Sequence, residues 1–199
     1  MKSFAALSSL LLVAVANAQE IQSKPFNLVL SSADKDLNGQ KLSACHSGAA
    51  IESLCLAGDT GSQFFLNTTK GAQSPIDGLE PSGTLIWKLP VGNLPEPVPE
   101  PMSFYVDPST NVAMPMFQPG YDQQQVMFDE KSQMGIYSYL DDTVTPPTYQ
   151  NVTVLKNWHV CQTYYTGYTY ETLAWALGNE SAKPQNPSCV KVEVQRKNL

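Results

Sequence analysis

No stretch of this chain longer than a couple of turns carries a persuasive helical period. Short runs rich in apolar and aromatic residues recur instead, each stopped by a cluster of Gly, Pro, Asn, Asp or Ser. They lie at residues 25–31 (PFNLVLS), 40–46, 51–57, 63–67 (QFFLN), 84–89 (TLIWKL), 102–106 (MSFYV), 112–117 (VAMPMF), 125–129 (QVMFD), 134–140 (MGIYSYL), 152–155, 158–164, 168–177 and 189–195. About a dozen short strands with turn signals at roughly 8–12-residue spacing predict an all-β domain, a sandwich or a trefoil or barrel-like fold. Residues 49–56 and 168–177 also fit a helical period. In the second, alternation of Leu173, Trp175 and Leu177 among aromatic residues favours strand.

Residues 157–194 look like the closing half of this β core. They hold two of the three tryptophans, four of the nine tyrosines and two of the four cysteines. Earlier in the chain, Asn38-Gly39 is a strong hairpin signal. Residues 90–101, PVGNLPEPVPEP, contain five prolines and predict an extended, rigid connection rather than a central strand. Pro115 cannot donate to a ladder, so 112–117 is expected at a sheet edge or bulge.

The first eighteen residues predict the compartment. Met1-Lys2 opens with a positive charge, an apolar run follows from Phe4 to Val15, and Ala16-Asn17-Ala18 is a small-x-small cleavage signature. This reads as a secretory signal peptide over 1–18, leaving one domain over 19–199. No later stretch is apolar enough to span a bilayer, and the basic C-terminus lacks the hydrophobic tail of a lipid-anchor signal. A net charge of −6 argues against nucleic acid and anionic membrane as partners. Cys45, Cys55, Cys161 and Cys189 then predict two disulfides, with three connectivities open. Cys45–Cys55 is favoured because the two flank a predicted hairpin, and Cys161–Cys189 because it ties the last strong strand regions. Sequons stand at Asn67, Asn151 and Asn179, whereas proline at 187 disables the one at Asn186.

Nothing in the chain reads as an active site. There is no GxSxG elbow, and His46-Ser47 adjacency is not how a triad assembles. His46 and His159 would need neighbouring strands and a carboxylate to hold a metal, so no metal or cofactor is expected. A glycosidase needs two facing carboxylates; the candidates are Asp129, Glu130, Asp141, Asp142 and Glu171, with Glu171 on an aromatic-flanked strand. The stronger signal is aromatic. Tyr164, Tyr165, Tyr168 and Tyr170 surround Gly167 and form a candidate ligand face, because tyrosine rings stack on the apolar faces of sugars.

Three blocks carry a resemblance: Phe26-Asn27-Leu28-Val29-Leu30 with Leu37-Asn38-Gly39; Cys45-His46-Ser47-Gly48-Ala49-Ala50; and an ending of Trp158-His159-Val160-Cys161, Leu173-Ala174-Trp175-Ala176-Leu177-Gly178 and Pro184-Gln185-Asn186-Pro187-Ser188-Cys189-Val190-Lys191-Val192. Together they resemble an uncharacterised family of fungal secreted proteins known only as a domain of unknown function. More distantly, the layout is similar to fungal cell-wall proteins of the phialide-associated type. The resemblance implies an extracellular or wall-associated fungal protein and implies no reaction. The expectation is therefore a secreted glycoprotein without catalytic activity, structural or carbohydrate-binding, with cell-wall polysaccharide as candidate partner. The rival expectations are a polysaccharide hydrolase built on Glu171 and an Asp, and a secreted effector that binds a host protein. Oligomeric state is left open.

Overall fold

A computed structural model describes residues 19–56, 60–120 and 122–199. The segment read as a signal peptide lies outside the described residues, as do Ala57 and Tyr121, which the sequence places at a strand end and in a turn. Among the described residues there is no helix. The reason is local: apolar side chains recur at every second position, a spacing that puts them on one face of a pleated strand.

The strands are β1 (Glu20–Gln22), β2 (Phe26–Ser31), β3 (Leu42–Gly48), β4 (Ile51–Leu56), β5 (Phe65–Thr69), β6 (Gly83–Leu89), β7 (Val98–Val106), β8 (Val112–Phe117), β9 (Gln125–Phe128), β10 (Met134–Asp141), β11 (Thr148–Leu155), β12 (Trp158–Tyr165), β13 (Tyr168–Ala176), β14 (Val190–Lys191) and β15 (Glu193–Asn198). Thirteen of them form one antiparallel sheet, ordered β11-β10-β9-β6-β7-β8-β4-β13-β12-β14 along its main path, with β1, β3 and β5 attached beside it. β2 and β15 form a separate two-stranded ribbon. The large sheet curls into a half-barrel, the barrel-like form among the predicted alternatives.

The two ends of the curl meet. Trp158 on β12 donates its indole N–H to the carbonyl of Met134 on β10, 2.8 Å away, although these strands lie near opposite ends of the sheet. The C-terminal segment spans the same seam: Val192 N–H donates to Trp158 O on β12 at 3.1 Å, and Arg196 N–H donates to Ser132 O, beside β10, at 2.9 Å, while β2 is tied to Phe64 by the backbone bonds that Phe26 exchanges with it. Lys156 reaches Asp129 at 2.5 Å and Gln133 at 2.6 Å, and Gln133 bonds Glu193. The enclosed face carries Phe26, Leu28, Phe64, Leu85, Phe117 and Phe128 around Trp158. Burial of large apolar side chains stabilises by about 1.5–3 kcal/mol each before conformational entropy is charged against it.

Both cysteine pairs are bridged, Cys45 to Cys55 across the β3–β4 hairpin and Cys161 to Cys189. Cys161 packs on the opposite face of the sheet from Trp158 and Val160, in a small cluster with Val112 and Ala174.

Two expectations about proline are corrected. The stretch at 90–101 is not all connection, because β7 begins at Val98 and pairs Pro99 with Lys88 and Pro101 with Ile86. Over these residues β7 has β6 on one side only, since its pairing with β8 begins at Met102, and a ladder donor is dispensable there. Pro115 is not at an edge either. It lies inside the central strand β8, where the second neighbour changes from β13, at Ala113, to β4, at Met116. The last predicted strand divides at Val192: β14 joins the large sheet and β15 leaves it for β2.

Candidate functional site

The loop 179–189 and the β7–β8 turn are tied together. Asn111 Nδ2 donates to Lys183 O at 2.8 Å, Gln185 N–H donates to Asn111 Oδ1 at 2.8 Å, and Gln185 Nε2 donates to Ser109 O at 2.8 Å. The loop then meets β12: Asn186 donates to Gln162 O at 2.9 Å, and Gln162 N–H donates to Ser188 Oγ at 2.9 Å. The Cys161–Cys189 bridge holds its far end. β14 pairs with β12 only at His159 and Val160, so the remainder of β12 runs along the sheet's edge.

Between that edge and the β7–β8 hairpin lies a groove of about 440 Å³. One wall carries Tyr105, Asp107 and Thr110, the other Gln162, Tyr164 and Tyr165, and Asn186 stands between them. A second hollow of about 360 Å³ adjoins it, lined by Gln118, Asp122, Gln123 and Gln124. Tyr105 and Tyr165 line both hollows, with ring centroids 4.9 Å apart and planes at 79°. Among the described residues, the only charged side chains lining the two are Asp107 and Asp122.

Local chemistry fixes this wall. Asp107 caps the tight turn after β7, accepting from Ser109 N–H at 2.8 Å and Ser109 Oγ at 2.5 Å. Those bonds hold its carboxyl below the usual carboxylate range. Desolvation, then the charge of Asp107, pushes the Tyr105 phenol up, so it stays a donor; its hydroxyl points at Asp107 Oδ2, 3.4 Å away. On the other wall the two-residue β12–β13 turn places Thr166 and Gly167 both at positive φ, the geometry that matches strand twist. Thr166 Oγ1 donates to Ser47 O at 2.9 Å, which ties the turn to β3.

The four tyrosines of the candidate face do not act as one. Register pairs Tyr165 with Tyr168 and Thr163 with Tyr170, on one face of the β12–β13 ribbon. Tyr164, paired with Thr169, projects to the other face and is 72% exposed. Adjacent residues of a strand point oppositely, so Tyr164 and Tyr165 share the groove only because it follows the strand's edge. Tyr168 and Tyr170 stack on each other at 6.0 Å, and Tyr170 donates to His46 O at 3.0 Å, outside the groove. Tyr105 and Asp107, unremarked in the sequence, supply the facing wall.

Of the remaining candidates, His159 is buried with Nδ1 3.1 Å from Asn157 O, and burial lowers its pKa, whereas His46 is exposed edge-on to Tyr168. They share no site, and among the described residues no three His, Cys, Asp or Glu gather as a metal would need. Glu171 is exposed opposite Gln162 in a small hollow near Asp34 and Asp36, because β13 leaves the core below Thr172. Asp129 is bound by Lys156, Asp141 caps Thr143, and Asp142 lies in the loop after β10. Asn151 and Asn179 are exposed, and Ser181 donates to Asn179 Oδ1 from both N–H and Oγ. Asn67 is engaged on β5, accepting from Gln22 and donating to Glu20.

The fold and its bridges define a class: an all-β, disulfide-bonded half-barrel domain. The domain-of-unknown-function family DUF7907 matches residues 23–198, and the chain belongs to that family. No curated protein and no solved structure matches it. No helix among the described residues is long and apolar enough to cross a membrane.

Proposed function

We propose that this chain is a secreted fungal glycoprotein, extracellular or held at the cell wall, that binds wall polysaccharide through the groove between β7–β8 and β12 without cleaving it. The observation that carries this reading is the lining: three tyrosines beside amide and hydroxyl groups, with carboxylates as the only charges among the described residues. Tyrosine rings take the apolar faces of pyranoses, while Gln, Asn and Thr exchange hydrogen bonds with their hydroxyls. Carboxylates without Lys or Arg disfavour anionic uronates and phosphates and leave neutral or amino sugars. The disulfides support an oxidising compartment. Exposed Asn151 and Asn179 are the sequons best placed to carry glycans.

The test is a pull-down of the secreted protein on insoluble chitin, β-glucan and mannan, with released sugar measured in the same tube. Depletion onto one polymer without release supports binding, and Tyr105→Ala or Tyr165→Ala should weaken it about 10-fold, one stacked ring's worth. Released sugar would instead support the hydrolase reading. Retention on none would favour a protein partner, for which the β10–β11 tip is the exposed apolar surface: Tyr139 and Tyr149 stack there at 5.8 Å beside exposed Leu140 and Val144.

A further inference from the structure

Glu52 on β4 and Glu100 on β7 are both inside the half-barrel, 4% and 0% exposed. Alternation puts Glu52 on the same face as Leu54, and Glu100 on the same face as Met102, which are core residues. β8 runs between the two strands, with Phe117 paired to Glu52 on one side and to Met102 on the other. Among the described residues, Glu52 Oε2 and both oxygens of Glu100 find no donor in the backbone or in any side chain outside the pair.

No cation answers this charge among the described residues. β8 presents Phe117, and β6 presents Trp87 opposite Glu100. The next β6 residue, Lys88, has its ammonium over the Phe65 ring, 4.2 Å from the centroid. From β3, His46 is the register partner of Glu52 but is exposed and turned against Tyr168. Among the described residues, the ion pairs Lys156–Asp129 and Arg196–Glu80 lie elsewhere. Two ionised carboxylates in such a place would each carry an uncompensated desolvation cost, and unpaired buried charges neutralise instead.

We propose that Glu52 and Glu100 share a proton and act as a pH-sensitive latch between β4 and β7, closed while the proton is held and loosened when it leaves. The chemistry is one acid O–H donating to the opposite carboxyl oxygen, so a single proton removes the repulsion and supplies a donor that the site otherwise lacks. Burial first, then the hydrogen bond and charge of Glu52, push Glu100 up to about 9, so it is neutral at pH 7. A folded-state pKa raised above the ordinary 4.5 gives stability that is complete below that value and is lost as pH rises through about 9. The strands involved carry the groove: Tyr105 lies at the far end of β7. Neither carboxyl lines the groove, so loss of the proton can be followed with no groove ligand present.

The experiment is urea unfolding of the intact secreted protein from pH 5 to 9, wild type beside Glu100→Gln and Glu52→Gln. The wild-type folding constant should fall by up to about tenfold per pH unit relative to Glu100→Gln, which has no proton to lose there. Infrared spectra of the wild type supply a readout that survives if a variant fails to fold. A neutral carboxylic-acid carbonyl band should persist at pH 7 and vanish as pH passes about 9. Parallel pH dependence in wild type and Glu100→Gln overturns the latch, as does absence of the neutral-acid band at pH 7. Stability that is flat with pH but collapses on chelation of divalent ions also overturns it, in favour of a cation between the carboxyls.

Discussion

Trp158→Phe tests whether the half-barrel is closed by its seam. Trp158 is fully buried, and its indole N–H donates to Met134 O at 2.8 Å, joining β12 to β10. Phenylalanine keeps an aromatic ring but has no donor, so the carbonyl loses this partner inside the core; a stranded buried acceptor costs about 1–3 kcal/mol. The missing ring atoms leave a void costing roughly 1 kcal/mol more. The total, about 2–4 kcal/mol, corresponds to a drop in Tm of roughly 6–12 °C for a domain of this size. The control is Trp175→Phe. Trp175 packs edge-on to Trp158 at 4.7 Å and is also buried, but it makes no side-chain hydrogen bond to a described residue. Urea melts followed by far-UV circular dichroism should place Trp158→Phe about 1–3 kcal/mol below Trp175→Phe. Equal losses for the two variants would refute the seam as a stabilising contact and leave Trp158 a volume filler.

Other substitutions probe the remaining supports. Gly83→Ala should destabilise by several kcal/mol in a thermal melt, since its Cβ would sit 2.5 Å from the backbone oxygen of Asn67, which cannot swing away as a side chain can. Replacing Cys161 and Cys189 together by Ala should cost about 3–4 kcal/mol in urea, because the bridge closes a sequence separation of 28; a loss below about 1 kcal/mol would mean that the loop is held by its hydrogen bonds alone. The same change at Cys45 and Cys55, with a separation of 10, should cost less, about 2–3 kcal/mol, and an inverted order would contradict the loop-length reasoning. Asp107→Ala should leave the urea midpoint little changed while loosening the turn beneath Tyr105, read as faster amide exchange at residues 105–112.

Much of the fold was legible from local pattern. The β3–β4, β9–β10 and β12–β13 hairpins follow from period-two alternation interrupted by turn residues, and the two cysteine pairs follow from those hairpins and the last strand. Proline misled in both places. Its missing donor matters only where a neighbouring strand asks for one, and whether Pro99, Pro101 and Pro115 face such a neighbour depends on where β8 pairs. The candidate site was legible by halves. Tyr164 and Tyr165 stood out as aromatics near a glycine turn, but Tyr105 comes from a strand sixty residues earlier, and no local signal joins them. Glu52 and Glu100 were not legible: Glu100 falls in the stretch read as a Pro-rich connection, and only the start of β7 at Val98 turns it inward toward the face that Glu52 shares.

The sequence by itself determined most of the strands and turns, the cysteine inventory and the absence of any long apolar segment after residue 18, but neither β1 nor the start of β7 at Val98. These rest on neighbours along the chain: backbone preferences, side-chain period and spacing. Tertiary structure alone decided that the sheet curls until β10 meets β12, that β7 and β12 face each other across a groove, and that two glutamates sit within one apolar interior. Those facts depend on pairings between residues far apart in sequence, which register, twist and burial select together and no window of the chain contains.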